Sequence, residues 1–138
     1  MMTVQEQALI KIGEVASKSG VPIKTIRYYE QLGLLKAAKR TDGQFRLFEM
    51  SVISRLAFIK RLQSLGLTLQ EIGECLAVYD YGNLPCDSIQ EKLEQQVTKV
   101  DRRIAELILL RNELTDLLQH WSTYPDEKPG VICPNLEL

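Results

Sequence analysis

A single histidine and three cysteines are all the imidazole and thiol donors in this 138-residue chain. There is no Ser/His/Asp set and no glycine-rich phosphate loop. Nothing assembles a nucleophilic or phosphoryl-transfer site, so an enzyme is not expected. The cysteines, Cys75, Cys86 and Cys133, are odd in number and widely spaced, which excludes a disulfide framework. No apolar run approaches the length of a membrane span. The start, "MMTVQEQALIKIGE", has neither the basic residues nor the long apolar stretch of a secretory signal. A cytoplasmic location with reduced thiols is the expectation, with no membrane partner. Net charge is also nearly lacking, at −1.

The distribution of charge is more informative than its sum. Residues 1–65 hold 11 Lys/Arg against 5 Asp/Glu, and residues 66–138 hold 6 against 13. A basic first half suits phosphate; an acidic second half is repelled by it. The halves therefore have different partners.

Residues 1–10 read as a frayed arm. Ile12, Val15 and Ala16 mark one face of a short helix that stops at Ser19-Gly20. Pro22 suits the first turn of the next helix, which carries Ile23, Ile26 and Leu32 and ends near Gly33. Within it, Arg27, Tyr28 and Tyr29 are consecutive, so they fan over more than half of the helix circumference and cannot all face one core. Then "LLKAAKRTDGQFRLF" places Asp42-Gly43 between two short segments, a hairpin signal. Helix, turn, helix and basic hairpin make a winged helix-turn-helix. An amphipathic helix is predicted over Ser51 to Ser64, and Thr68 to Glu71 forms a capping box that opens another, running to about Tyr79. Cys75 reads as a buried core thiol. A second capping box is expected at Ser88 to Glu91, opening the longest element.

That element carries Leu93, Val97, Val100, Ile104, Leu107, Leu114, Leu118 and Trp121 in alternating steps of four and three, with Arg111 at the remaining seam position. A heptad seam over about 34 residues, roughly 50 Å long, asks for a partner helix. Nothing else in the chain is long enough, so the partner is a second copy. The fold class expected is mainly α: a winged helix-turn-helix domain with two supporting helices over residues 11–80, a dimerisation helix over 87–121, and a proline-rich tail over 122–138.

The segments "KIGEVASKSGVPIKTIRYYEQLGLL", "RTDGQFRLF" and "LAFIKRLQSLGLTLQEI" resemble, in order and spacing, the MerR family of bacterial transcription regulators. The resemblance implies an antiparallel coiled-coil homodimer on a palindromic promoter. It also implies a switch: effector binding distorts the DNA between two RNA polymerase elements, at a cost of a few kcal/mol in duplex deformation. It places Lys24 and Thr25 near base edges and Arg27, Tyr28 and Tyr29 on the phosphate backbone. In the wing it implies contacts from Arg40, Gly43, Phe45 and Arg46, and in the following helix from Arg61, with Lys60 beside it. Gln44 stands where the family often has a second glycine. Phenylalanines replace tyrosines at 45 and 48, which removes a hydroxyl donor.

Metal-sensing members of the family hold one cysteine before the dimer helix and others after it. Cys86 and Cys133 match the first and last of these, while Trp121 stands where another cysteine is usual. His120 is an adjacent substitute donor. The resemblance thus implies a soft or borderline divalent ion, Zn, Hg, Cd or Pb, held by Cys86, Cys133 and His120 across the dimer. Two alternatives stay open: a thiol redox or electrophile sensor using the same cysteines, and an architectural DNA-binding module without an effector.

Overall fold

The computed structural model describes residues 8–43 and 45–137. In chain order these residues form β1 (Ile10–Lys11), α1 (Ile12–Ser19), α2 (Ile23–Gln31), β2 (Lys39–Arg40), β3 (Arg46–Phe48), α3 (Ser51–Ser64), α4 (Leu69–Asp80) and α5 (Cys86–Gln119), followed by a 3₁₀ turn at Pro134–Leu136. The chain divides into two units, Met1–Leu93 and Glu94–Leu138.

In the first unit, α1 ends where Gly20 adopts φ 74° and its N–H bonds the Ala16 carbonyl at 2.9 Å. A left-handed residue suits glycine, and the turn redirects the chain into α2. The Ser19 hydroxyl accepts from the Val21 N–H at 3.1 Å, which tightens the same turn. Pro22 precedes α2 with φ −60°, already close to helical. The core is built from Val15, Ile26, Phe48, Leu56, Ile59, Ile72 and Cys75, all fully buried. Cys75 is thus a core thiol, with its Sγ 3.7 Å from the Ser88 hydroxyl.

One expectation about the wing needs correction. The arm expected over residues 1–10 lies outside the described residues as far as residue 7, but Ile10 is not frayed. It is buried and belongs to β1, so the sheet has three antiparallel strands in the order β1-β3-β2. Ile10 opposes Phe48, Lys11 opposes Leu47, and on the other side Arg40 opposes Arg46. The expected hairpin is present, with Asp42-Gly43 in the loop between its strands. The Thr41 N–H bonds the Phe45 carbonyl at 2.9 Å, and the Phe45 N–H returns to the Thr41 hydroxyl at 3.1 Å. Gly43 does not take a positive φ.

The capping box at Thr68 forms as expected, with the Glu71 N–H donating to Thr68 Oγ1 at 3.1 Å and the Thr68 N–H to Glu71 Oε1 at 3.0 Å. The second one does not. Helix α5 starts at Cys86, directly after Pro85, so Ser88 is already inside it. A helix can begin as soon as the proline is passed, and Asp87 supplies the acidic first turn. The start of α5 is fastened to α4 by Lys92 Nζ to Glu74 Oε2 at 2.7 Å, and Ile89 and Leu93 pack on the core.

One side chain ties several elements of this unit. Arg55 on α3 donates its Nε to the Leu34 carbonyl, just past α2. Its two terminal nitrogens fork onto Asp80 at 2.7 and 2.8 Å, at the end of α4. Such a fork matches the carboxylate geometry.

In the second unit, α5 continues to Gln119 without a single buried residue. The tail is closed rather than loose. The Ser122 N–H donates to Asn135 Oδ1 and Asn135 Nδ2 donates to the Ser122 carbonyl, both at 2.9 Å. No helix among the described residues is long and apolar enough to cross a membrane.

The Arg55 hydrogen bonds hold the Asp80 carboxyl below the usual carboxylate range, against a smaller opposing effect of burial. A lowered folded pKa means the pair's contribution to stability is complete above about pH 4, the ordinary aspartate value. It is lost as pH falls through the folded pKa. Asp80 is half exposed, so this contribution is below about 1 kcal/mol. Asp80→Asn should flatten the acid limb of a urea-midpoint-versus-pH curve. Arg55→Ala, which also strips the Leu34 carbonyl of its donor, should cost about 1–3 kcal/mol at neutral pH.

Candidate nucleic-acid interface and thiol donors

Helix α2 sorts its residues by face. Ile26 and Tyr29 are buried; Lys24, Arg27 and Tyr28 are exposed and Thr25 is half-buried. Buried positions three apart on a helix define its inward stripe, so the residues between them must point out. The Arg-Tyr-Tyr fan is thereby split. Tyr28 keeps 50% of its surface exposed. Tyr29 goes inward, and its hydroxyl donates to Gln63 Oε1 at 2.8 Å. The rings stay neighbours, with centroids 6.4 Å apart. The Tyr29 bond joins α2 to α3, which makes Tyr29 a support for α2 whose hydroxyl already has a partner.

The wing is joined to α2 in a similar way. Arg46 on β3 forms an ion pair with Glu30 on α2, and its side chain is 30% exposed. Its buried Nε has no aligned hydrogen bond, so the contact is electrostatic. Part of the Arg46 charge is therefore spent inside the protein. Arg40 is exposed on β2, and Phe45 is 65% exposed at the end of the loop. Gly43 is exposed; a Cβ there would meet the Phe45 ring carbons at 3.2 and 3.3 Å.

On α3, Lys60 and Arg61 are exposed. Lys60 Nζ lies 3.5 Å from the Ser19 carbonyl at the end of α1, where a cation complements the helix dipole. The Arg61 guanidinium is exposed and lies 3.5 Å from the Ser64 hydroxyl, a weak contact, so it is open to a further partner. Sequence reasoning locates these cations but misses the Glu30–Arg46 and Tyr29–Gln63 links. It also misses Lys11, whose ammonium lies 5.8 Å from the centre of the Phe45 ring.

The expected metal donors lie in different places. Cys86 is exposed and opens α5 in the first unit, whereas His120 and Cys133 belong to the second. Cys133 is half-buried and immediately precedes the 3₁₀ turn. His120 Nδ1 lies 2.9 Å from the Asp116 carbonyl. A carbonyl only accepts, so Nδ1 is the donor in this contact, which leaves Nε2 as the ring nitrogen facing away from it. Among the described residues, no group of three or more His, Cys, Asp or Glu side chains gathers within one chain.

A winged helix-turn-helix with exposed cations on α2, the wing and α3 defines a DNA-binding protein. Comparison with known proteins agrees. The family described as "MerR HTH family regulatory protein" matches residues 10–78, and that described as "MerR, DNA binding" matches residues 53–117. The chain belongs to the MerR family of transcriptional regulators, which are DNA-binding regulators and not enzymes. It is 37% identical over 127 residues to the mercuric resistance operon regulatory protein of Bacillus cereus, covering 92% of this chain and 94% of the relative. The lead(II) complex of PbrR691 from Ralstonia metallidurans CH34 is similar in structure, with TM-score 0.74, 32% identity, and coverage of 85% and 91% of the two chains. HiNmlR, a MerR family regulator bound to promoter DNA, aligns with TM-score 0.53 and 28% identity, covering 82% and 83%.

The two tyrosines should separate on substitution. Tyr29→Phe removes a satisfied hydrogen bond and should lower the urea unfolding free energy by about 1 kcal/mol. Tyr28→Phe should leave stability within about 0.5 kcal/mol while weakening binding to promoter DNA.

Proposed function

We propose that this regulator binds a palindromic promoter as a homodimer clasped through antiparallel α5 helices, and that a thiophilic divalent metal ion switches it. In this reading Lys24 and Thr25 approach base edges. Arg27, Tyr28, Arg40, Phe45 and Arg61 hold the backbone, and Arg46 and Tyr29 contribute mainly by fixing the wing and α2. RNA polymerase is the partner at the promoter, and the cytoplasm is the compartment. Effector binding biases the dimer between two geometries, one of which distorts the duplex, and the two binding events are thermodynamically reciprocal.

The observation that carries the dimer is the unpartnered seam of α5. Val97, Val100, Ile104, Leu107, Leu114 and Leu118 are all exposed. Six large apolar side chains in heptad register on one exposed helix call for a matching helix. Antiparallel pairing would bring Cys86 of one protomer toward the end of α5 in its partner, where His120 and Cys133 of the partner subunit follow. Those donors suit a soft or borderline ion, Zn, Hg, Cd or Pb. The mercury and lead named for the similar proteins are in keeping with that chemistry.

A second reading draws on the same thiols. Cys86 and Cys133 are free and at least partly accessible, as a redox or electrophile sensor requires. One experiment separates the readings. Sedimentation of the reduced protein at micromolar concentration should give a dimer; a monomer would overturn the proposal. Titration with Hg(II) and Zn(II) should then produce a saturable thiolate-to-metal signal that Cys86→Ser and Cys133→Ser each abolish. A disulfide-linked dimer on mild oxidation, without a metal signal, favours the redox reading. Neither response, with Cys86→Ser still fully inducible, removes both thiol readings.

A further inference from the structure

The wing presents an aromatic ring without a donor and a cation that is drawn inward. Phe45 has no hydroxyl, and Arg46 is drawn toward Glu30. Yet the exposed Phe45 ring is not bare, because the Lys11 ammonium lies 5.8 Å from its centroid. Lys11 is exposed and sits on β1, an edge strand whose Cα partner across the sheet is Leu47 of the wing hairpin. A lysine within about 6 Å of an aromatic face is held by the ring quadrupole. That attraction limits where a flexible four-carbon chain places its charge. Among the described residues Lys11 has no carboxylate in ion-pair reach. A shallow groove runs past Lys11, Gly13, Glu14, Phe45 and Arg46, and Glu14 is its one acidic side chain.

We infer that Lys11, seated on the Phe45 ring, is a DNA phosphate contact of the wing and supplies a donor beside a ring that has none. This rests on the proposal that the wing faces the duplex. The ring serves as a platform, and the ammonium supplies the charge-assisted hydrogen bond to a phosphate oxygen. A phosphate contact carries no sequence information directly, so Lys11 would contribute equally on every operator.

The test uses the full-length protein and a duplex it enriches from a random-sequence pool. Each phosphate neutralised adds about 0.9 to the slope of log affinity against log salt. Lys11→Met should reduce that slope by about 0.9 and weaken binding several-fold on all enriched sequences alike, while Lys11→Arg keeps both near wild type. Phe45→Ala should cost less in the Lys11→Met background than in the wild type, because the ring acts partly through the lysine. An unchanged slope in Lys11→Met, or fully multiplicative losses in the double variant, would overturn the inference. In the unmodified protein, bound duplex should shield Lys11 from an amine-reactive reagent; full reactivity in the complex would also overturn it. If the wild type enriched no duplex at all, the DNA-binding proposal would fail, and this one with it.

Discussion

The burial of Ile26 and Tyr29 on one face of α2 is the constraint from which the rest of the first unit follows. Once those two side chains are inward, helical geometry leaves Lys24, Arg27 and Tyr28 no choice but to point out. The inward face is then secured from two directions, by Gln63 on α3 and, through Glu30, by Arg46 on β3. The orientation of an exposed reading surface is thus set by buried and half-buried contacts behind it. A regulator gains from this arrangement. Side chains that meet a ligand on a rigid support lose less freedom on binding than side chains on a loop.

The two units differ in how they satisfy their apolar residues. The first closes a core on itself, with Phe48 from the sheet and Leu56, Ile59 and Ile72 from the helices. The second cannot, because a single helix and a short tail have no second layer. Ile104, Leu107, Leu114 and Leu118 stay exposed, and the same sequence periodicity that makes them useless as a core makes them suitable as a seam.

Much of this architecture is legible in the residues alone. Periodicities of 3.6 place α1, α2 and α3, the Thr68–Glu71 box places the start of α4, and Asp42-Gly43 marks the wing. These signals are local: each depends on residues within a turn or two of one another. What escapes a sequence reading is mostly non-local. β1 has only two residues, too few for any alternation, and exists because Ile10 and Lys11 find β3 far along the chain. Whether Tyr28 or Tyr29 goes inward depends on α3. Arg46 reads as a free cation until Glu30 is seen beside it. The start of α5 departs from expectation for a different reason: a good capping motif at Ser88 competes with Pro85, and the proline prevails. The set of candidate DNA residues is legible as a cluster of cations, but the division between those that reach outward and those that brace from behind is not.

The Asn135 amide, bonded at both ends to the backbone of Ser122, turns the last stretch of the chain into a tethered ring. Fixing a disordered residue costs on the order of 1 kcal/mol or more in backbone entropy. A segment already drawn shut by one side chain has met much of that cost during folding. Cys133, two residues from the tether, therefore sits on backbone whose ordering cost is largely met before it binds anything.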